Sequence, residues 1–192
     1  MSFSYPVYLR LRGRRCLVIG SGAEAEAKIR GLREAGAAVE SRPDYEEGCL
    51  EGFYLAIAAL GGRGLNARIA EEAERRGILF NTADDPEHCA FILPVIHRQG
   101  DLTVAVSSGG KSPAVAQRLR DWIAREAGPE YSELLQLLGE LRPEVASRYP
   151  DFEERRQVWA SIAQSEALDL FRHGQAEAAE ALVRNLAEGR HR

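Results

Sequence analysis

A chain of 192 residues, 45% apolar and 28% charged, is long enough for one or two domains around a sizeable core. Its net charge of -4 argues against a nucleic-acid partner, and no apolar run approaches the ~20 residues that a membrane span requires. Cys16, Cys49 and Cys89 lie too far apart for a CxxC metal site, so no metal site is predicted; with no secretory pattern in residues 1–6, they read as reduced thiols of a cytoplasmic protein.

In chain order, the apolar run 15–20 predicts a first strand. Gly20-Ser21-Gly22-Ala23-Glu24-Ala25 follows it as G-x-G-x-x-A and opens a helix over 24–35, with Ala25, Ile29 and Leu32 at helical spacing. The first glycine makes the tight turn, the second lets the backbone approach a diphosphate, and the small third residue lets helix and strand pack closely. After a first strand this pattern points to a dinucleotide; the plainer reading is a tight turn in a domain that binds none. Glu24 is expected to turn away from a bound diphosphate. A second strand over 37–41 leads into Glu40, Arg42, Pro43 and Asp44. An acidic residue there suits ribose hydroxyls and an arginine suits a 2′-phosphate, so NAD and NADP both stay open.

Strands over 54–59 and 78–82 flank a helix over 65–76 that carries Ile69, Ala70 and Ala73. After the fourth strand comes Asn81-Thr82-Ala83-Asp84-Asp85-Pro86. A carboxylate at the carboxyl end of a parallel strand lies where such sheets bind ligands, which makes Asp84 a candidate general base and Asn81 a candidate orienting group. Equally, Asp84 or Asp85 caps a short helix starting at Pro86. His88 reads as a surface or helix-start residue.

A strand over 102–107 empties into Ser107-Ser108-Gly109-Gly110-Lys111, and Ser112 caps a helix opening with Pro113. Such a loop exposes backbone N–H groups to an anion. It is not a P-loop, because Ala105 stands where that motif needs glycine. Residues 1–112 thus read as a parallel α/β domain. Residues 113–192 read as a helical assembly module, with one apolar face from Val115, Leu119, Trp122 and Ile123 and another from Leu134, Leu135, Leu137, Leu138 and Leu141. Pro143, Pro150 and Gly174 punctuate it, and a second copy of the chain is the cheapest cover for its faces.

Leu9-x-x-x-Gly13 with the glycine turn and Lys28, Asn81-x-x-Asp84-x-Pro86 with Phe91-Ile92-x-Pro94, and Ala105-Val106-Ser107-Ser108-Gly109-Gly110-Lys111-Ser112-Pro113 together resemble the precorrin-2 dehydrogenase module of siroheme synthases. Glu154-Arg155-Arg156 with Trp159 extends the resemblance into the helical tail. The resemblance implies a Rossmann-like sheet, a small dimerisation region and a helical C-terminal domain, assembled as a homodimer. It implies oxidation of the tetrapyrrole precorrin-2 to sirohydrochlorin with NAD. Some members of that family also insert ferrous iron as a substrate to give siroheme.

By the resemblance, Asp84 falls on the catalytic aspartate, Ala23, Glu24, Pro43 and Asp44 on cofactor positions beside Gly20, Ser21 and Gly22, and Ser108 on an active-site serine phosphorylated in the family. The substrate is a polycarboxylate, so Asn81 and the loop Ser107, Ser108, Gly109, Gly110 and Lys111 are its candidate anchors. Arg98, Arg118 and Arg120 are either further anchors or solvated surface. The chain departs from the family in two places. Roughly 20 residues are absent between the second strand and the one at 54, enough for a helix and a strand, so the sheet should lose an edge strand on the adenine side. Leu60-Gly61-Gly62 also stands where the family carries Thr and acidic residues. A tetrapyrrole- or nucleotide-binding module without catalysis is the alternative.

Overall fold

Cys16, Leu17, Val18 and Ile19 are all buried, as a strand in the middle of a parallel sheet must be when helices cover both faces. In the computed structural model, which describes residues 5–83 and 85–190, they form β1 (Arg15–Gly20). β2 (Ala38–Arg42) and β3 (Leu55–Ala59) pair with β1 in parallel from either side, and β4 (Leu79–Thr82) pairs beyond β3, giving the order β2-β1-β3-β4. Alternation along β1 sorts the core. Cys16 and Val18 pack with Ala25 and Leu32 of α1 (Gly22–Glu34), while Leu17 and Ile19 pack with Ile69 and Ala73 of α2 (Arg63–Arg76).

β2 is the sheet edge among the described residues, and four of its five residues are exposed. Residues 43–53, the stretch expected to lack a helix and a strand, form turns. They are pinned from beneath by Glu72 of α2, which is 1% exposed. Its Oε2 accepts hydrogen bonds from the Tyr45 hydroxyl at 2.6 Å and the Gly48 N–H at 3.1 Å. Arg76 Nε lies 2.8 Å from Oε1 as an ion pair.

The chain divides into two compact units, Met1–Leu93 and Pro94–Arg192, so the break falls well before the expected boundary at 112. The strand expected over 102–107 is β6 (Leu102–Val106), and it does not join the parallel sheet. It pairs antiparallel with β5 (Val95–Gln99) through the tight turn at Gly100-Asp101. Two residues suffice for a hairpin, whereas a parallel partner needs a crossover of a dozen or more. His97, Arg98 and Gln99 hid β5 from an apolar count.

The hairpin's unit continues through α3 (Pro113–Glu126), α4 (Pro129–Arg148), α5 (Phe152–Ala163), α6 (Ala167–Arg172) and α7 (Ala176–Ala187). Leu134, Leu137, Leu141 and Val145 of α4 centre its core with Ile162, Phe171 and Val183. Pro143 was expected to punctuate, yet α4 runs through it. One backbone bond is lost, and the buried stripe on either side holds the helix in line. Gly174 (φ 72°) does make the turn between α6 and α7. On α3, Val115, Leu119 and Trp122 are 62%, 45% and 52% exposed, so that predicted apolar face is open in the single chain. Among the described residues no helix is long and apolar enough to cross a membrane.

Candidate functional site

Gly20 has φ 129°, and a Cβ built on it would lie 2.5 Å from the Ala59 carbonyl oxygen. Only glycine lets β1 and β3 end so close together. Gly22 has φ 84°, and a Cβ there would meet nothing within 4 Å, so open space fronts the start of α1. Ser21, the N-cap of α1, makes no side-chain cap bond. Gly62, the N-cap of α2 at φ 116°, has no side chain to offer one. Two helix N-termini are therefore left without side-chain caps, with their N–H groups and positive dipole ends available to an anion.

Both ends border a pocket of about 340 Å³ at the carboxyl side of the sheet. Its walls are Glu24 of α1, Leu60-Gly61-Gly62 after β3, Arg63 and Asn66 of α2, and Asp85 after β4. Arg63 adds a cation. Glu24 lines this pocket, contrary to the expectation that it turns away, because the first turn of α1 faces it. Leu60, Gly61 and Gly62 present backbone where acidic and Thr side chains were expected to be missing. An uncapped pair of helix starts, open space before Gly22 and an adjacent arginine fit the diphosphate of a dinucleotide.

At the end of β2, Glu40 is taken up by Arg15, 2.8 Å away. Arg42 lines a different pocket of about 460 Å³ with Arg15, Glu46 and Phe53. Pro43 and Asp44 are exposed in the turn that follows.

The acidic loop after β4 is tied down at several points. Asn81, 8% exposed, donates through Nδ2 to the Phe91 carbonyl at 2.8 Å and, more weakly, to Cys89 Sγ at 3.5 Å. Its amide N–H groups are thus spent within the loop. Cys89 Sγ also accepts from the Thr82 N–H at 3.3 Å and lies within donating reach of the Thr82 and Asp85 carbonyls, at 3.4 and 3.3 Å. Asp84, the candidate base, lies outside the described residues. Asp85 stands at the N-cap of the 3₁₀ turn Pro86–His88, but its side chain makes no cap bond to that turn's backbone. Its carboxylate is 2% exposed; Oδ2 accepts from Asn66 Nδ2 at 3.3 Å and lies 2.9 Å from His88 Nδ1. Burial alone would push the Asp85 pKa up; the hydrogen bonds from His88 and Asn66 outweigh it and hold the group below the usual carboxylate value.

The serine–glycine loop belongs to the second unit. Ser112 caps α3 as expected, accepting from the Val115 N–H at 3.3 Å. The loop exposes fewer N–H groups than expected, because its own oxygens take them. The Gly109 N–H donates to Ser107 Oγ (3.1 Å), the Ser112 N–H to Ser108 Oγ (3.0 Å) and the Lys111 N–H to the Ser108 carbonyl (3.3 Å). Gly109 and Gly110 take φ 63° and 77° to allow it. Arg120 pairs with Asp121 at 2.8 Å.

Asn66 was missed by the sequence reading, although it sits three residues before Ile69 and seven before Ala73 on the buried stripe of α2. A polar residue on an apolar helical face is the signal that could have found it.

Three family models match the chain. An NAD(P)-binding model matches residues 7–41 and 40–95, one described as the sirohaem biosynthesis protein central region matches 99–126, and one described as the sirohaem synthase dimerisation region matches 130–186. The siroheme synthase of Chromobacterium violaceum is 32% identical over 207 residues, covering 96% of this chain and 44% of the relative. That of Methylococcus capsulatus is 34% identical over 204 residues, covering 95% and 43%. The chain therefore spans less than half the length of the curated relatives it matches. Both alignments are also longer than the 192-residue chain, as expected if it lacks residues its relatives carry. Among solved structures, the precorrin-2 dehydrogenase SirC superposes with a TM-score of 0.75 at 19% identity, covering 97% of this chain and all of that one. The likeness establishes the fold.

Proposed function

The chain belongs to the siroheme synthase family, and from that premise we propose that it is a precorrin-2 dehydrogenase, oxidising precorrin-2 to sirohydrochlorin with NAD. The observation that carries the reading is the pocket of about 340 Å³ where two helix N-termini without side-chain caps meet at the carboxyl ends of the strands. When bound, NAD supplies a hydride acceptor. Gly20, Ser21, Gly22 and Ala23 bring backbone up to its diphosphate, with Arg63 as a counter-charge, and Pro43 and Asp44 stand beside its adenosine half. Glu24, facing the same pocket, disfavours excess negative charge there and suits a donor such as a ribose hydroxyl.

Asp84 takes the proton that leaves the substrate. A carboxylate is competent for this because it can accept the proton in the chemical step and give it up to water before the next turnover. Asn81 keeps the loop closed rather than reaching into the pocket. Ser107, Ser108, Gly109, Gly110 and Lys111 form a preorganised turn whose serine hydroxyls and lysine serve the carboxylates of the tetrapyrrole. A second copy of the chain covers Val115, Leu119 and Trp122, making a homodimer. Three free thiols support a reducing, cytoplasmic compartment.

The test is anaerobic incubation of precorrin-2 with the protein and NAD. NADH and the sirohydrochlorin spectrum should rise together, and Asp84→Ala should lower the rate by roughly 10²–10⁴. Tetrapyrrole binding with no oxidation by NAD or NADP would replace this reading with that of a non-catalytic binding module.

A further inference from the structure

The pocket of about 340 Å³ at the carboxyl ends of the strands makes two opposite chemical demands, one helical turn apart on α2. At the start of that helix, Gly61-Gly62-Arg63-Gly64 calls for an anion. The Leu65 and Asn66 N–H groups both donate to the Gly62 carbonyl at 3.1 Å. Those of Arg63 and Gly64, the first two residues of the helix, have no helical carbonyl to meet. A Cβ added at Gly61, Gly62 or Gly64 would meet nothing within 4 Å, so a ligand can come right up to the backbone there. The first turn carries no acidic residue, and Arg63 adds a second positive charge to the positive end of the helix dipole. That arrangement is unfavourable for the helix alone and favourable with a phosphate on it.

One turn on, the demand is for a hydrogen-bond donor. Asn66 and Asp85, 3% and 2% exposed, both line the pocket. Asn66 Nδ2 donates to Asp85 Oδ2 at 3.3 Å, but Asn66 Oδ1 and Asp85 Oδ1 have no hydrogen-bond partner among the described residues. Leaving a buried acceptor unmet costs stability, and a ligand that brings hydroxyl donors removes that cost. Asn66 follows Arg63 by about 4.5 Å along the helix axis, the order of spacing between a phosphate and the hydroxyls of its own ribose. A ribose phosphate answers both demands, whereas an inorganic anion answers one.

The adenosine end of a dinucleotide finds less to hold it. In a Rossmann-like domain that end lies over the end of β2. Here Glu40 is taken up by Arg15 at 2.8 Å, Asp44 stands exposed, and no strand lies beyond β2 among the described residues. The pocket lies on the other side of the glycine turn, toward β3 and β4, where the nicotinamide half belongs. We propose that this chain holds its dinucleotide by the nicotinamide mononucleotide half, and that nicotinamide mononucleotide alone is a ligand of the pocket. The proposal rests on the dinucleotide reading and adds which half supplies the affinity. The backbone N–H groups of Arg63 and Gly64 and the Arg63 guanidinium take the phosphate. Asn66 Oδ1 and Asp85 Oδ1 accept from the ribose hydroxyls.

The test is isothermal titration calorimetry of the full chain with NAD, nicotinamide mononucleotide, AMP and inorganic phosphate. The mononucleotide should bind within roughly tenfold of NAD, and AMP and phosphate at least about a hundredfold more weakly than the mononucleotide. Arg63 is exposed, so Arg63→Ala leaves the core intact; it should weaken NAD and the mononucleotide by the same factor, about tenfold. NAD binding without mononucleotide binding, or AMP or phosphate binding as tightly as the mononucleotide, overturns the proposal and leaves the dinucleotide reading standing. An Arg63→Ala chain that binds the mononucleotide as the wild type does overturns it equally. A folded wild-type chain that binds neither NAD nor the mononucleotide overturns both.

Discussion

Removing one hydroxyl, Tyr45→Phe, tests how the shortened side of the sheet stays folded. The Tyr45 hydroxyl lies 2.6 Å from Glu72 Oε2, and the Gly48 N–H shares that oxygen at 3.1 Å. A hydrogen bond to a charged acceptor contributes about 1.5–3 kcal/mol net. Gly48 and Arg76 still partner the carboxylate in the variant, so the loss stays below the 3–5 kcal/mol of an orphaned buried charge. The turns over 43–53 should then open locally more often, by roughly 10- to 150-fold for that range, since each 1.4 kcal/mol is a factor of ten. Amide hydrogen exchange at Gly48 and its neighbours reads this directly and separates it from the helical unit, which should not change. Exchange at Gly48 within threefold of wild type would refute the view that Glu72 pins these turns.

Gly20→Ala should cost stability and cofactor together. Its Cβ would sit 2.5 Å from the Ala59 carbonyl at φ 129°, so urea unfolding should shift by about 1–3 kcal/mol and NAD titration should show no saturable binding. Acid should destabilise the protein through Glu72, Asp85 and Glu130. Burial opposes the charged form of each, but hydrogen bonds and neighbouring cations (Arg76 at Glu72, Arg172 at Glu130) win, so their folded pKa values are depressed. The unfolded chain then binds more protons below the usual carboxylate values of ~4; their stabilisation is complete above about pH 5 and fades as pH falls further. Glu72→Gln should flatten that acid limb, as followed by urea midpoints between pH 3 and 6. Trp122→Glu should convert a dimer into single chains by sedimentation if α3 is the covered face; a dimer that survives it would move the interface elsewhere.

Much of the fold was legible because short-range physics controls it. β1 emerged with its observed ends, α1 and α2 within two residues of their starts, and the Ser112 cap at its observed bond, since strand burial, helical spacing and capping are read from neighbouring residues. Pro143 misled because packing on both sides of it outweighs a local cost. β5 was missed because a half-exposed hairpin strand carries His97, Arg98 and Gln99 rather than an apolar run. The serine–glycine loop was located correctly, but its hydroxyls turned inward and took the N–H groups assigned to a ligand.

The sequence by itself determined the alternating strand–helix order of the first unit, the glycine turn and the family, because each is encoded in residues adjacent or at fixed spacing. Only the tertiary structure decided that β6 pairs with β5 outside the parallel sheet, that Glu72 reaches across to Tyr45 and Gly48, and that Asn66 meets Asp85. Those contacts join residues 19 to 27 positions apart on separate elements, or select one pairing among several with equal local cost. Burial and long-range hydrogen bonding choose among them only once the chain has closed on itself.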